Sequence, residues 1–177
     1  LPAVAPCNRS VRYDRWVIAA AIEWARAHAE VFSRVARIFI NLSRDSVVDP
    51  ETGEFIRQSL AASGVDPRCI GFETAENIAS GNLGKANALI VALRRIGCSF
   101  ALDDFGSGVS SFAYLKALSV DYLKIDGMFI GNMSQDRVDY AMVRSIKEIG
   151  HVMGKVVVAE SVESESALQN LREIGVD

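Results

Sequence analysis

Histidine and cysteine are scarce in this chain, with two of the first and three of the second, and that scarcity removes several kinds of chemistry. Cys7, Cys69 and Cys98 show no C-x-x-C spacing and are odd in number, so neither a thiolate metal site nor a disulfide framework is expected. Cys69 and Cys98 read as small apolar residues beside strands, in a reducing compartment. His28 and His151 fall in helical patterns with no second histidine at i+4, and read as surface or core-edge residues. Long apolar runs are missing too, and no charged-then-apolar leader opens the chain. The expectation is a cytoplasmic segment without membrane contact. Charge of one sign is also lacking. The 19 Lys and Arg are scattered among 22 Asp and Glu for a net charge of −3, which excludes a basic groove for DNA or RNA.

What is present is an alternation of two patterns along 177 residues, half of them hydrophobic. Short β-branched or apolar runs predict strands at Arg37–Asn41, Cys69–Glu73, Ser99–Asp103, Tyr122–Asp126 and Lys155–Glu160. Stretches of 3.6-residue periodicity predict helices at Asp14–Val31, Glu51–Ser63, Lys85–Ile96, Asp136–Met153 and Glu165–Ile174. In the fourth, Ala141, Val143, Ile146, Ile149 and Val152 form the predicted apolar face. Gly64, Gly97, Gly154 and Gly175 stand where helical patterns end, as left-handed helix stops before the next strand. Strands this apolar predict a parallel sheet buried on both faces. No G-x-G-x-x-G follows the first strand, which argues against a doubly wound dinucleotide fold and for a TIM-like (β/α) barrel. Five strands fall short of the eight of a full barrel of about 250 residues, so the predicted barrel is incomplete, with truncation expected on both sides.

The residues that end these strands carry the chemistry. In order they are Asn41, Glu73, Asp103 with Asp104, Lys124 with Asp126, and Glu160. Strand C-termini of a barrel open onto one face, so these side chains are expected to share one mouth. Crowded carboxylates repel one another unless a cation sits among them, and an all-oxygen set favours Mg²⁺ or Mn²⁺. The Asp103–Asp104 pair suggests a carboxylate shared between two ions, an arrangement suited to phosphodiester hydrolysis. Lys124 is expected either to act on the attacking water or phosphate, or to pair with Asp126 or another neighbouring carboxylate. Phe105-Gly106-Ser107-Gly108, followed by Val109-Ser110-Ser111, reads as a sharply bending loop that approaches a ligand with its backbone, or as a tight βα turn.

The stretch ALDDFGSGVSSFAYLKALSVDYLKIDGMFI closely resembles the centre of an EAL domain, with its D-D-F-G-[TS]-G and K-I-D motifs. Asn41-Leu42-Ser43 resembles the family's N-x-S. FETAEN is similar to E-I-T-E through Glu73 and Glu76, and VVVAESVE to V-A-E-G-V-E through Glu160 and Glu163. DRWVI matches the usual early helix, and the resemblance covers residues 1–177 as one domain. It implies a bacterial barrel phosphodiesterase that linearises cyclic di-GMP to pGpG with two Mg²⁺ or Mn²⁺ ions. By the same resemblance Asn41, Glu73, Asp103, Asp104 and Glu160 are metal ligands, with Asp104 near the second ion. Lys124, Glu160 and Asp104 are the catalytic group, and Lys124 contacts the catalytic water. Glu76 anchors the D-D-F-G loop of Phe105, Gly106, Ser107 and Gly108, while Asp126 and Glu163 support the ligands. A homodimer is implied as well, and fused sensory or GGDEF domains are expected in the parent protein. Departures from the pattern are an E-x-L strand expected upstream of Leu1 and a glutamine motif expected beyond Asp177. In addition, Pro6 stands for a glutamate, Glu73-Thr74-Ala75-Glu76 for E-I-T-E, and Ser161 for the glycine of A-E-G. They leave open a degenerate EAL domain that binds cyclic di-GMP or a protein partner without turnover. Another metal-dependent barrel, such as an aldolase, fits the strand ends but not the D-D-F-G loop.

Overall fold

Residues 9–33, 37–107 and 112–177 are described by the computed structural model. Helix α1 (Arg9–Ala27) leads into strand β1 (Ile38–Asn41), then α2 (Arg44–Val48), α3 (Thr52–Ser63) and β2 (Ile70–Ala75). There follow α4 (Glu76–Gly81), α5 (Leu83–Arg95), β3 (Ser99–Phe105), α6 (Phe112–Leu115) and β4 (Tyr122–Ile125). The chain continues through α7 (Gly127–Asn132), α8 (Arg137–Val152), β5 (Val156–Ala159) and α9 (Glu165–Ile174). The four glycines predicted to stop helices all have positive φ, at 71°, 102°, 68° and 78°, where a Cβ would be strained. At Gly64 and Gly175 that geometry closes α3 and α9.

Among the described residues the strands make one parallel sheet in the order β1-β2-β3-β4-β5. A doubly wound sheet reverses its order at a switch point, where its ligand crevice opens. This order never reverses, so the sheet is an arc of a (β/α) barrel with its strand C-termini on one rim. Phe72, Phe100, Leu102, Leu123 and Val157 turn toward the helices and are essentially inaccessible to solvent. Each such side chain contributes roughly 1.5–3 kcal/mol of burial.

Two predictions need correction. Burial on both faces holds for most of β2 and β3, but in β1, β4 and β5 it does not. Their inward residues are half-exposed because the described residues form an open arc. The apolar face of α8 is also narrower than its pattern: Val143, Ile146 and Gly150 are buried, whereas Ala141 is exposed and Val152 is 88% exposed. Gly150 brings α8 onto the sheet, since a Cβ there would lie 2.5 Å from Val157 Cγ2.

The inward face has a floor below its polar rim. The Phe39 ring lies over Gly71 and meets the Tyr122 ring edge-on at 5.2 Å. The Arg37 guanidinium stacks on that same Tyr122 and donates to its hydroxyl. A Cβ on Gly71 would sit 2.5 Å from the Phe39 ring, which also packs against Tyr122. Gly71→Ala is therefore expected to destabilise the domain by about 1–3 kcal/mol through overpacking. Denaturant unfolding of the full-length protein checks this, and an unchanged midpoint would show that the ring moves aside freely.

Candidate active site

The rim begins with a local break in β3. In a regular strand Asp103 and Asp104 would point to opposite faces. Instead the β3–β4 register shifts between Leu102 and Phe105, and Asp104 takes a left-handed backbone, with φ 52°. Such a bulge re-aims a side chain, and aspartate tolerates that backbone better than most residues at a cost of about 1–2 kcal/mol. Asp103, Asp104 and Glu160 consequently each place a carboxylate oxygen within 4.8 Å of the others.

Lys124 enters this group from β4. Its Nζ lies 2.6 Å from Glu160, 2.9 Å from Glu73 and 3.1 Å from Asp103. Asp126 is not a partner, contrary to one of the pairings the sequence suggested, and Lys124 joins carboxylates from β2, β3 and the end of β5 instead. Asn41 donates its side-chain amide to Glu73 Oε1 at 2.8 Å, which orients Glu73 toward the mouth. Burial alone would lower the Lys124 pKa, but its bonds to Glu160 and Glu73 and the Glu73 charge raise it above the ordinary lysine value. Glu160 is pushed up by burial, and further by the nearby Asp103, against the pull of Lys124. Asp104 is raised by desolvation and then by the charges of Asp103 and Asp126. The site therefore holds a stable ammonium among carboxylates, two of which, Glu160 and Asp104, are shifted upward.

The structure spreads the expected supporting residues differently. Glu76, buried at the start of α4, accepts the Gly106 N–H at 2.7 Å, and so ties β2 to the turn after β3. The Tyr114 phenol is held above its usual range by burial and then by the adjoining Glu76 carboxylate. Phe105, expected in the loop, is instead the last residue of β3 and lies in the core at 1% exposure. Ser107 donates its hydroxyl to the Asp104 carbonyl at 2.8 Å. Gly108 lies outside the described residues. Asp126 caps α7 by accepting the Met128 N–H at 2.8 Å, and Glu163 is solvent-exposed beyond β5. Ser161 has φ 54°, a backbone that suits the glycine of A-E-G, and its Oγ fills the space beside Gly127. Glu76→Ala is expected to cost about 1–3 kcal/mol by orphaning the Gly106 donor, while Glu76→Gln, which keeps an acceptor, recovers part of that. Amide exchange at Gly106 reads the difference directly, and equal protection in both variants would exclude the anchoring role.

Sequence reasoning missed Asp14. It is buried at 7% exposure and accepts from the Ser43 N–H at 2.8 Å and from the hydroxyls of Ser43 and Ser46, each at 2.6 Å. This fixes the segment after Asn41 to α1. The signal was available: Asp14 falls within the buried series Val11, Ile18, Ile22 and Ala25, where a carboxylate requires donors.

Fold and rim together define a (β/α)-barrel domain with an acidic mouth at its strand C-termini. The chain belongs to the EAL-domain family, whose model matches residues 1–177. Among curated relatives, cyclic di-GMP phosphodiesterase PdeB of Shewanella oneidensis is 38% identical over 164 residues, which is 93% of this chain and 19% of that protein. Cyclic di-GMP phosphodiesterase PdeF of Escherichia coli is 34% identical over 177 residues, all of this chain and 24% of that one. The chain thus spans about a fifth to a quarter of these relatives. Among solved structures, the PaMucR phosphodiesterase in complex with c-di-GMP superposes with a TM-score of 0.88 at 29% identity, covering 94% of this chain and 68% of that one. Klebsiella pneumoniae BlrP1, in a calcium and cyclic di-GMP complex, gives 0.85 at 27% identity, over 98% of this chain and 43% of its own. Among the described residues, no helix is long and apolar enough to cross a membrane.

Proposed function

We propose that the domain hydrolyses cyclic di-GMP to pGpG at the mouth formed by Asn41, Glu73, Asp103, Asp104, Lys124 and Glu160. The observation that carries this is the convergence of Lys124 and three carboxylates, from β2, β3 and the residue after β5, on one point beside the displaced Asp104. The donor set suits two hard divalent ions, Mg²⁺ or Mn²⁺. Its oxygens lie close enough to share a cation, and the group already surrounds an ammonium. Asn41, Glu73, Asp103, Asp104 and Glu160 would hold the ions, which supply Lewis-acid stabilisation of the phosphodiester. Lys124 stabilises charge as it develops on the phosphate and orients the attacking water. Asn41 steers Glu73, and Glu76 holds the turn that carries Asp104. The relatives named above as cyclic di-GMP phosphodiesterases support the choice of substrate.

The test is to incubate the full-length protein carrying this domain with cyclic di-GMP and Mg²⁺ or Mn²⁺, and to separate the products. Accumulation of pGpG is expected. Retained binding of cyclic di-GMP without product would select a receptor instead. The non-glycine backbone strain at Ser161, next to Glu160, is the observation that favours that second reading.

A further inference from the structure

We infer that the Lys124 ammonium is an internal counter-ion that divalent metal must displace, so that the same residue holds the empty site together and sets how tightly it binds metal. This rests on the metal reading proposed above.

The Lys124 Nζ lies at ion-pair distance from three carboxylates: Glu73 at 2.9 Å, Asp103 at 3.1 Å and Glu160 at 2.6 Å. The side chain is 15% exposed, so little of the ammonium remains for water. Two of these carboxylates, Asp103 and Glu160, also belong to the trio whose oxygens lie within 4.8 Å of one another. Two of the three carboxylates best placed for a dication are therefore already paired with Nζ, each through one oxygen. A doubly charged ion at those oxygens would stand against a positive charge at contact distance, in a mouth where screening by water is weak. Lysine has the means to yield, because its charge sits on a flexible four-carbon stem.

Two effects of opposite sign follow. Without metal, Lys124 offsets repulsion among Glu73, Asp103, Asp104 and Glu160, and links β2, β3, β4 and the end of β5. With metal, breaking the three ion pairs weakens affinity. A lysine that served only to orient water would show neither effect.

The experiment uses the full-length protein, freed of metal with EDTA and dialysed, as wild type and as Lys124→Met. Free Mn²⁺ is followed by electron paramagnetic resonance during titration, and melting is recorded with EDTA and with Mn²⁺. Lys124→Met is expected to bind Mn²⁺ on the order of tenfold more tightly than wild type. It should also melt lower in EDTA and gain more from Mn²⁺. Equal or weaker Mn²⁺ affinity in the variant overturns the inference while leaving the metal site intact. Failure of the wild type itself to bind Mn²⁺ would instead overturn the metal reading on which the inference rests. Should Lys124→Met not fold in EDTA, Lys124→Met/Glu160→Gln, with one negative charge fewer, is compared with Glu160→Gln alone. Tighter Mn²⁺ binding by the double variant supports the competition, and equal or weaker binding overturns it.

Discussion

Lys124→Ala in the full-length protein is expected to lower kcat for cyclic di-GMP hydrolysis by about 10²–10³-fold while KM changes little. Lys124 is the cation that the described residues place against the rim carboxylates. Charge on the phosphate grows toward the transition state, so a lone ammonium there matters more to turnover than to ground-state binding. If the competition argued above holds, the variant binds metal at least as well as wild type. The loss would then not trace to an empty metal site. Steady-state kinetics at saturating Mn²⁺ separates the possibilities: a raised KM with kcat intact would make Lys124 a binding residue and remove it from the chemistry.

Asp103→Asn should weaken Mn²⁺ binding by about 10–100-fold or more, and carry hydrolysis down with it. Asp103 serves both arrangements of the rim, as a partner of Nζ and as a member of the close carboxylate trio. Asparagine preserves its shape and removes its charge. In EDTA the variant should melt close to wild type, because Nζ retains Glu73 and Glu160. That combination, normal metal-free stability with poor metal affinity, is the signature to look for. Wild-type affinity in the titration would count strongly against Asp103 as a ligand.

Much of the scaffold was legible because it rests on periodicity. The predicted strands begin or end within two residues of the observed ones, and Glu165–Ile174 matches α9 end to end. The helices that escaped notice, α2, α4, α6 and α7, have six residues or fewer, too short to display a helical repeat. They form because of local capping, such as Ser43 before α2 and Asp126 before α7, and because the strands they follow are already packed. Val152 misled because a helix end can carry an apolar residue out into solvent. At the rim, the strand-end rule located the mouth and placed Asp103 and Asp104 in it together, yet it did not say how adjacent strand residues could face the same way. That depends on a bulge, which no alternation pattern announces. Nor could spacing choose among the carboxylates around Lys124, since partners 51, 21 and 36 residues away are brought together by stagger between strands.

The unbroken strand order has a consequence for assembly from pieces. A cut in the turn between α5 and β3 would separate β1 and β2 from β3, β4 and β5, with a single row of backbone hydrogen bonds, Gly71–Ala75 against Ser99–Asp103, as the main seam in the sheet. The same cut sorts the rim. Asn41, Glu73 and Glu76 travel with one half, while Asp103, Asp104, Lys124 and Glu160 stay with the other. Of the polar contacts described above, Lys124 to Glu73, Glu76 to the Gly106 amide and Arg37 to the Tyr122 hydroxyl then cross the seam. Neither half holds a whole mouth, so co-expressed halves would report their own reunion, and the strength of those contacts would set how faithfully they find each other.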